Sequence, residues 1–492
     1  MNGPGPASLR PTLLLMSGRF VGFVVTFVIP VVLVRAFDQG EFGTYKQIFL
    51  LYTTIYGLAQ LGMAESLFYF LPRSPERGGF YATNATLILS GSGLAAWAVL
   101  VATRSKLSGL LSNDGLSRYL GQLGILVALM LASSALEIVL TSRGRYGWAS
   151  LSYGLSDVAR AAASIIPVLL LRGLQGLLLG GIAFAGLRLA AMLLYLRKEY
   201  GRGLRPDGTA FREQIAYALP FQASVILGIL ESSFHQYAVS RSFDAATFAI
   251  YSVGCLQIPL VDLVAGSAAN AMMVRMGEEM REGRPGAVLR AWHDTTRRLA
   301  LVFFPMAALL IVSAPQLIPV VFTRSYLASV PIFSVWTATI VFTVFQVDAV
   351  LRTLAGTRFL MGLYFAKLVF IALLIGPFMA AFHLVGAVLV TALALALAKA
   401  ACLLRIARLL EVGPAQLLPW RSLGRTAGGA LLAAIAAALL KSVVHLPALP
   451  LLIVVGLVFV AIFAGSWFLW EAVADRATGS AEVSGAAGVE PG

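Results

Sequence analysis

The chain has 492 residues, of which 59% are hydrophobic and only 12% are charged, and its mean hydropathy is +0.85. A soluble globular domain carries about 25% charged residues, so this composition excludes a water-soluble fold. The formal net charge of +14 does not indicate a nucleic-acid partner, because most of the 37 Lys and Arg residues lie in loops between apolar runs. The sequence predicts an all-α, polytopic membrane protein surrounded by membrane lipids.

The chain contains about 14 apolar runs that are long enough to cross a bilayer core, which takes roughly 20 helical residues. The first six lie near 12–34, 44–71, 81–103, 118–141, 146–171 and 174–196. After the basic stretch 197–213, six more lie near 214–240, 245–273, 299–322, 326–350, 359–381 and 384–404. A final pair lies near 426–443 and 447–470.

Basic residues are concentrated in every second loop, as at 73–77, 143–145 and 197–212. By the positive-inside rule this side is cytoplasmic, which places both termini in the cytoplasm. The first run is long and has no small-residue cleavage site, so we expect a true span there rather than a removable signal peptide.

An internal repeat relates the two sets of six runs. The loop after the first run and the loop after the seventh share a pattern at the same spacing, namely Arg35, Phe37, Asp38, Phe42 and Tyr45 and then Arg241, Phe243, Asp244, Phe248 and Tyr251. Two shorter echoes pair Thr141 and Gly144 with Thr353 and Gly356, and Leu174 and Gly176 with Leu384 and Gly386. Because six is even, the second copy enters the membrane from the same side, which gives parallel repeats.

The repeat predicts four regions along the chain. These are an N-lobe of six helices at 1–212, a C-lobe of six helices at 213–410, two C-terminal helices at 411–470 and a disordered cytoplasmic tail at 471–492. Two facing lobes leave a central cleft, which suits alternating access, in which one lobe rocks against the other. Transport is therefore the favoured function.

Ionisable side chains within the apolar runs are candidate functional residues, because a charge at membrane depth is costly unless it meets water or a partner. Arg19 and Arg188 are flanked by apolar residues, and we expect them to face a hydrated cavity. Lys46 lies toward the end of its run, where a long side chain can also reach the interface. Asp157 and Arg160 are three residues apart, so they either neutralise each other or serve the cavity.

Glu231 and His235 are four residues apart and share one face of the seventh helix. A carboxylate beside an imidazole can exchange protons near neutral pH, so this pair, together with Asp157, is a candidate ion-coupling site. The alternative is a hydrogen-bonded pair that only fixes helix packing.

The sequence lacks the common motifs for nucleotide hydrolysis and metal-dependent catalysis. It contains no GxxxxGK[ST] phosphate loop, no HExxH and no Cys/His cluster. We expect no cofactor, no metal site and no enzymatic activity.

Several short segments resemble the polysaccharide and O-antigen lipid-linked oligosaccharide flippases of the multidrug/oligosaccharidyl-lipid/polysaccharide exporter superfamily. In the first half these are Ser17–Gly22, Pro30, Arg35 and Glu41–Tyr45. In the second half they are Ala218–Pro220, Leu354–Arg358 and Val385–Ala387. One departure is His235-Gln236, where the resemblance leads to the expectation of an Asp-Arg pair.

The resemblance implies a bacterial inner-membrane protein that moves an undecaprenyl-diphosphate-linked oligosaccharide to the periplasmic leaflet for surface polysaccharide synthesis. It also implies a glycan polymerase and export machinery as partners. Diphosphate and acidic sugars need cations in the cleft, and Arg19, Lys46, Arg160 and Arg188 are the candidates to bind them.

Three other functions remain as alternatives. A multidrug exporter of the same superfamily is expected to have an acidic, aromatic cavity, whereas a peptidoglycan-precursor exporter is expected to be basic like this chain. A membrane-embedded glycan polymerase or glycosyltransferase normally has a sizeable extramembrane loop, but the longest loop here, near 274–298, has only about 25 residues.

Overall fold

The computed structural model describes residues 22, 27–143, 146–171 and 173–486, and it describes no side chain at 146, 149, 153, 285 or beyond 470. Every regular element in these ranges is a helix. The predicted all-α, multi-pass membrane fold is therefore confirmed.

Two compact units make up the chain, and each is described by itself. The first comprises Met1–Ser252 and Tyr364–Pro377, and the second comprises Val253–Leu363 and Phe378–Gly492. The helices that begin in the first unit are α1 Phe27–Ala36, α2 Gln39–Ala59, α3 Met63–Arg73, α4 Gly78–Ala102, α5 Arg104–Leu110, α6 Leu120–Ala132, α7 Leu136–Ser142, α8 Tyr146–Leu171, α9 Leu174–Tyr200, α10 Gly208–Ser242 and α11 Ala245–Gly254. Those that begin in the second are α12 Pro259–Arg281, α13 Pro285–Val321, α14 Val330–Ala338, α15 Val347–Thr353, α16 Thr357–Leu409, α17 Pro414–Leu417, α18 Trp420–Val443 and α19 Ala448–Ala486.

In the described residues, ten helices are long and apolar enough to cross a membrane, and the broken pair α11 and α12 makes an eleventh span. The expected count of about fourteen differs for local reasons. The two runs at 359–381 and 384–404 fall within the one continuous range of α16, but non-helical backbone at Phe382 and His383 divides it into two helices, as the sequence predicts. The run at 44–71 is split into α2 and α3 by the left-handed residues Leu61 and Gly62. The first run lies largely outside the described residues.

The repeated loop pattern has a structural role that is the same in both copies. The Asp38 carboxylate caps α2 by accepting from the Glu41 N–H at 2.8 Å, and Asp244 caps α11 by accepting from the Thr247 N–H, also at 2.8 Å. An Asp at this position satisfies a backbone donor that the helix leaves free. The hydroxyl and N–H of Thr247 accordingly lower the pKa of Asp244. Both copies thus start a helix in the same way.

Helix α10 packs within the first unit, against α2, α3 and α4. At its start, the Arg77 guanidinium pairs with Glu213 at 3.1 Å. Near its end, Gln47 donates to the Ser240 hydroxyl at 2.9 Å. These polar contacts tie α10 to the preceding helices, and the first compact unit extends to Ser252.

Two glycines of the sequence Gly176–Gly180 bring α9 close to α8. A Cβ on Gly180 would lie 1.7 Å from the Ala163 carbonyl oxygen, and one on Gly176 would lie 2.5 Å from the Pro167 carbonyl oxygen. Gly386 is the repeat equivalent of Gly176 and also lies close to another backbone segment. A Cβ on Gly386 would lie 2.0 Å from the Phe378 carbonyl oxygen. Small residues at this spacing let helix backbones approach in a membrane.

In the second unit, α18 and α19 pack against each other and against α13. Their shared core is formed by Ala433, Ala437, Leu451, Val455 and Phe459. Helix α19 continues to Ala486. Residues 487–492 lie outside the described ranges.

The close approach of α8 and α9 yields a stability prediction. We expect Gly180→Ala to destabilise the protein by about 2 kcal/mol, because the added methyl group collides with the α8 backbone. Gly186→Ala is the matched control on the same helix, since nothing lies within 4 Å of a Cβ there. Thermal unfolding of both variants in the same detergent measures the difference, and equal midpoints would contradict the close approach.

Candidate functional site

One face of α2 carries a ladder of aromatic rings, Tyr45, Phe49, Tyr52 and Tyr56. Successive ring centroids lie 6.4, 6.4 and 5.7 Å apart. Residues at this spacing fall on the same side of a helix. The ladder is visible in the sequence as an aromatic residue at every third or fourth position, although the charges alone did not indicate it.

A cavity of about 120 Å³ lies beside this ladder. It is lined by Tyr45, Phe49 and Tyr52 from α2, by apolar side chains of α6 and α9, and by the Arg160 guanidinium from α8. The cavity therefore combines aromatic faces with one cation inside the first unit.

Two ion pairs of the first unit lie on α7, α8 and α9. Arg188 on α9 donates to the Glu137 carboxylate on α7 at 2.5 Å, and Glu137 is only 3% exposed. On α8, Arg160 donates to Asp157 at 2.7 Å. The charge of Asp157 also acts on Glu137, so the four groups form one electrostatic cluster.

The ion pair with Glu137 does not engage every nitrogen of the Arg188 guanidinium. Its Nη2 donates to Glu137, whereas its Nε is buried and has no hydrogen-bond partner among the described residues. A buried donor without an acceptor is costly, which makes this nitrogen available for an anionic ligand.

Lys46 lies on α2 next to the ladder. Its ammonium group is 5.4 Å from the Phe42 ring centroid and 5.6 Å from the Tyr45 ring centroid, and its side chain is half-buried. It has no carboxylate partner among the described residues, so ring faces, rather than a counter-ion, stabilise its charge.

Arg19 lies outside the described residues. Gly22, in the same predicted span, contacts the charge cluster, because a Cβ there would lie 2.0 Å from the Asp157 Oδ2. Gly22 therefore packs against Asp157.

Glu231 and His235 on α10 each contact another helix. The Glu231 carboxylate pairs with the Lys367 ammonium at 2.6 Å, and both side chains are largely buried. The Nδ1 of His235 lies 2.6 Å from the Tyr251 hydroxyl, and His235 is 2% exposed. Sequence spacing placed these two residues on one face, but it did not identify Lys367 and Tyr251 as their partners.

No group of three or more His, Cys, Asp or Glu residues is arranged to hold a metal ion in the ranges that the structure covers. Four charged groups of the first unit form the pairs Arg188–Glu137 and Arg160–Asp157.

The family model described as "Polysaccharide biosynthesis protein" matches residues 32–331. The chain belongs to this family. The match covers more than half of the sequence and includes α2 to α10, which carry the ladder and the pairs Arg188–Glu137 and Arg160–Asp157. The family recognised from the short motifs is thereby confirmed.

Solved structures show the same fold. The chain is similar to a structure of the lipid II flippase MurJ in an inward closed conformation, with a TM-score of 0.72 and 11% identity, over 93% of this chain and 98% of that one. It is also similar to an inward-facing multidrug resistance MATE family transporter of the MOP superfamily, with a TM-score of 0.59 and 12% identity, over 81% and 95%. It is similar as well to a MOP superfamily transporter from Pyrococcus furiosus, with a TM-score of 0.57 and 13% identity, over 82% of this chain and 96% of that one. No curated protein matches by sequence.

The pairing of Arg188 with Glu137 yields a prediction for this family member. We expect Arg188→Met to destabilise the protein by about 3–5 kcal/mol, because it leaves a buried carboxylate without a counter-charge. The double variant Arg188→Met/Glu137→Leu removes both charges and should recover most of the loss. Thermal unfolding and membrane expression levels measure both variants.

A control for this prediction is Arg160→Met, which breaks the more exposed pair with Asp157. Since the Asp157 side chain is 25% exposed, its carboxylate can be solvated and the loss should be smaller. Equal stability of the single and double Arg188 variants would show that Glu137 does not depend on Arg188.

Proposed function

We propose that this chain flips an undecaprenyl-diphosphate-linked oligosaccharide across the bacterial inner membrane for surface polysaccharide synthesis, and that it is not an enzyme. The family match and the transporter fold support a flippase. The observation that carries the choice of substrate is the combination of the aromatic ladder with Lys46, Arg160 and Arg188 in one unit.

Each part of that combination suits one part of the proposed substrate. The face of an aromatic ring carries partial negative charge, whereas the C–H groups of a sugar ring carry partial positive charge. Aromatic side chains therefore pack against the C–H groups of sugars. Guanidinium and ammonium groups bind diphosphate oxygens through charge-assisted hydrogen bonds. We infer that the sugars follow the ladder while Lys46, the Arg188 Nε and Arg19 bind the anionic groups.

The proposed cycle is alternating access between two lobes, with both termini in the cytoplasm and the polyprenyl tail in lipid. In the described state Asp157, Glu231 and His235 each contact another side chain. Their proposed ion-coupling role therefore consists of partner exchange, in which Glu231 releases Lys367 when an ion takes its place. A glycan polymerase and the export machinery are the proposed downstream partners.

A peptidoglycan precursor is the second candidate substrate, because the MurJ structure is named a lipid II flippase and is similar to nearly the whole chain. The two substrates share a lipid diphosphate and differ in the group that it carries. The family match favours a polysaccharide unit.

Removal of Lys46 tests the proposal. In a deletion strain of the native host, we expect Lys46→Ala at matched membrane levels to restore roughly a tenth or less of the surface glycan that wild type restores, since a hydrogen bond to a charged group contributes about 1.5–3 kcal/mol. Lipid-linked oligosaccharide should accumulate with its glycan intact. Lys46→Arg keeps the charge and should restore more, and Lys106→Ala, an exposed cation outside the ladder, is the matched control.

Other outcomes would overturn the flippase proposal. A change in polymer length without an accumulated intermediate would indicate a polymerase. Increased drug sensitivity with normal glycan would indicate a multidrug exporter. Accumulation of a peptidoglycan precursor would establish the second candidate.

A further inference from the structure

The first unit contains a second cavity, of about 360 Å³, which lies outside the helix that carries the aromatic ladder. Leu136 and Leu140 of α7 line it and are buried, so they form its floor. Its walls come from α8 and α9 and consist of Trp148, Leu151, Ser152, Leu155, Tyr195 and Lys198. The proposed substrate path uses none of these residues.

The packing of α8 against α9 explains where this cavity opens. The two helices approach closely at Gly180, where a Cβ would lie 1.7 Å from the Ala163 carbonyl oxygen. Leu155 is the cavity residue of α8 nearest to Ala163, and it lies about 12 Å from it along the helix at 1.5 Å per residue. The helices are therefore in close contact at one end and separated by a groove at the other.

The α8 wall of this groove is apolar and exposed. Trp148, Leu151 and Leu155 are 67%, 56% and 63% exposed. Exposed apolar side chains of a membrane-spanning helix face lipid, because there is no water at this depth. From Trp148 to Leu155 the wall is about 10 Å long, against about 15 Å for the hydrocarbon half of one leaflet. Its length therefore suits one acyl chain of a single leaflet.

A cation lies at the open end of the groove. Lys198 lines the cavity two residues before the end of α9, is exposed, and has no carboxylate partner among the described residues. The neighbouring Glu199 is already engaged, because it pairs with Arg143 at 3.7 Å. Arg143 also lies 5.0 Å from the Tyr200 ring centroid. The Lys198 ammonium group therefore remains available for an anion.

The open end lies on the side that the positive-inside rule predicts to be cytoplasmic, since α8 begins after the basic loop 143–145 and α9 leads into the basic segment 197–212. Trp148, near the start of α8, fits this depth because Trp is enriched at the interface between membrane and water. Lys198 is therefore expected at the level of the lipid headgroups, where anionic lipids attract basic side chains.

We propose that this groove binds one anionic glycerophospholipid of the cytoplasmic leaflet. One acyl chain lies along Trp148, Leu151 and Leu155, and the phosphate accepts a charge-assisted hydrogen bond from Lys198. A polyprenyl diphosphate fits less well, because its chain is much longer than the groove and a single cation faces its two phosphates. The proposal does not rest on the proposed function.

A lipid in this groove contacts three helices at once. Its acyl chain packs on Leu136 and Leu140, which flank Glu137 on α7, and Glu137 pairs with Arg188 on α9. A ligand that binds the folded protein alone raises its stability. The bound lipid therefore stabilises the arrangement of α7 and α9 that the ion pair requires.

Lipid binding to the purified protein tests the site. Native mass spectrometry during titration with phosphatidylglycerol measures the affinity, and phosphatidylcholine with the same acyl chains is the neutral probe. We expect one phosphatidylglycerol per chain, bound at least tenfold more tightly than phosphatidylcholine, because hydrogen bonds to charged groups support a change of this size. Lys198→Ala should remove this preference, and Lys198→Arg should keep it. Arg197→Ala, an exposed cation of the same turn that does not line the groove, should leave it unchanged.

Filling the groove tests the acyl-chain part of the site. Ser152→Phe adds bulk to a half-buried lining residue without changing the charge, and it should weaken phosphatidylglycerol binding at least tenfold. Thermal unfolding gives a second readout. Phosphatidylglycerol should raise the unfolding midpoint of wild type and Arg197→Ala, and it should have no such effect on Lys198→Ala or Ser152→Phe.

Two outcomes would overturn the site. Equal affinity of wild type for the two lipids, or equal losses in Lys198→Ala and Arg197→Ala, would show annular lipid only. Displacement of phosphatidylglycerol by undecaprenyl diphosphate at lower concentration than by more phosphatidylglycerol would assign the groove to the substrate lipid. These measurements use no glycan, so the result for Lys46→Ala is independent of them.

Discussion

The cost of a charge at membrane depth is the constraint on which this structure depends. A carboxylate or ammonium group that leaves water must find an opposite charge, a hydrogen bond or a ring face. The helices are therefore tied together where their charges meet: α7 to α9 through Glu137 and Arg188, and α10 to α16 through Glu231 and Lys367. These pairs fix which faces of the helices point inward, because apolar side chains alone have little preference between lipid and protein.

The same constraint distinguishes structural charges from functional ones. The carboxylates of Glu137 and Glu231 are paired with cations within the fold, whereas Lys46 has no ion-pair partner among the described residues. Lys46 is a cation beside aromatic rings.

The repeat connects these local features to the architecture. Asp38 and Asp244 cap equivalent helices, and Gly176 and Gly386 both approach the backbone of the preceding helical segment. The equivalent residues thus have the same structural roles in both halves. The ion pair of Glu137 with Arg188 also has a counterpart in the second half, where Asp348 pairs with Lys399 at the same sequence separation of 51 residues.

The sequence by itself determined the membrane class, the approximate spans, the repeat and the family, because apolar run length, cap residues and close-packing glycines act locally along the chain. It also identified Asp157 and Arg160 as a pair, since residues three apart on a helix face each other. Only the tertiary structure decided that Arg188 binds Glu137 and that Glu231 binds Lys367. Those partners are 51 and 136 residues apart in the chain, and no local pattern specifies which helices become neighbours.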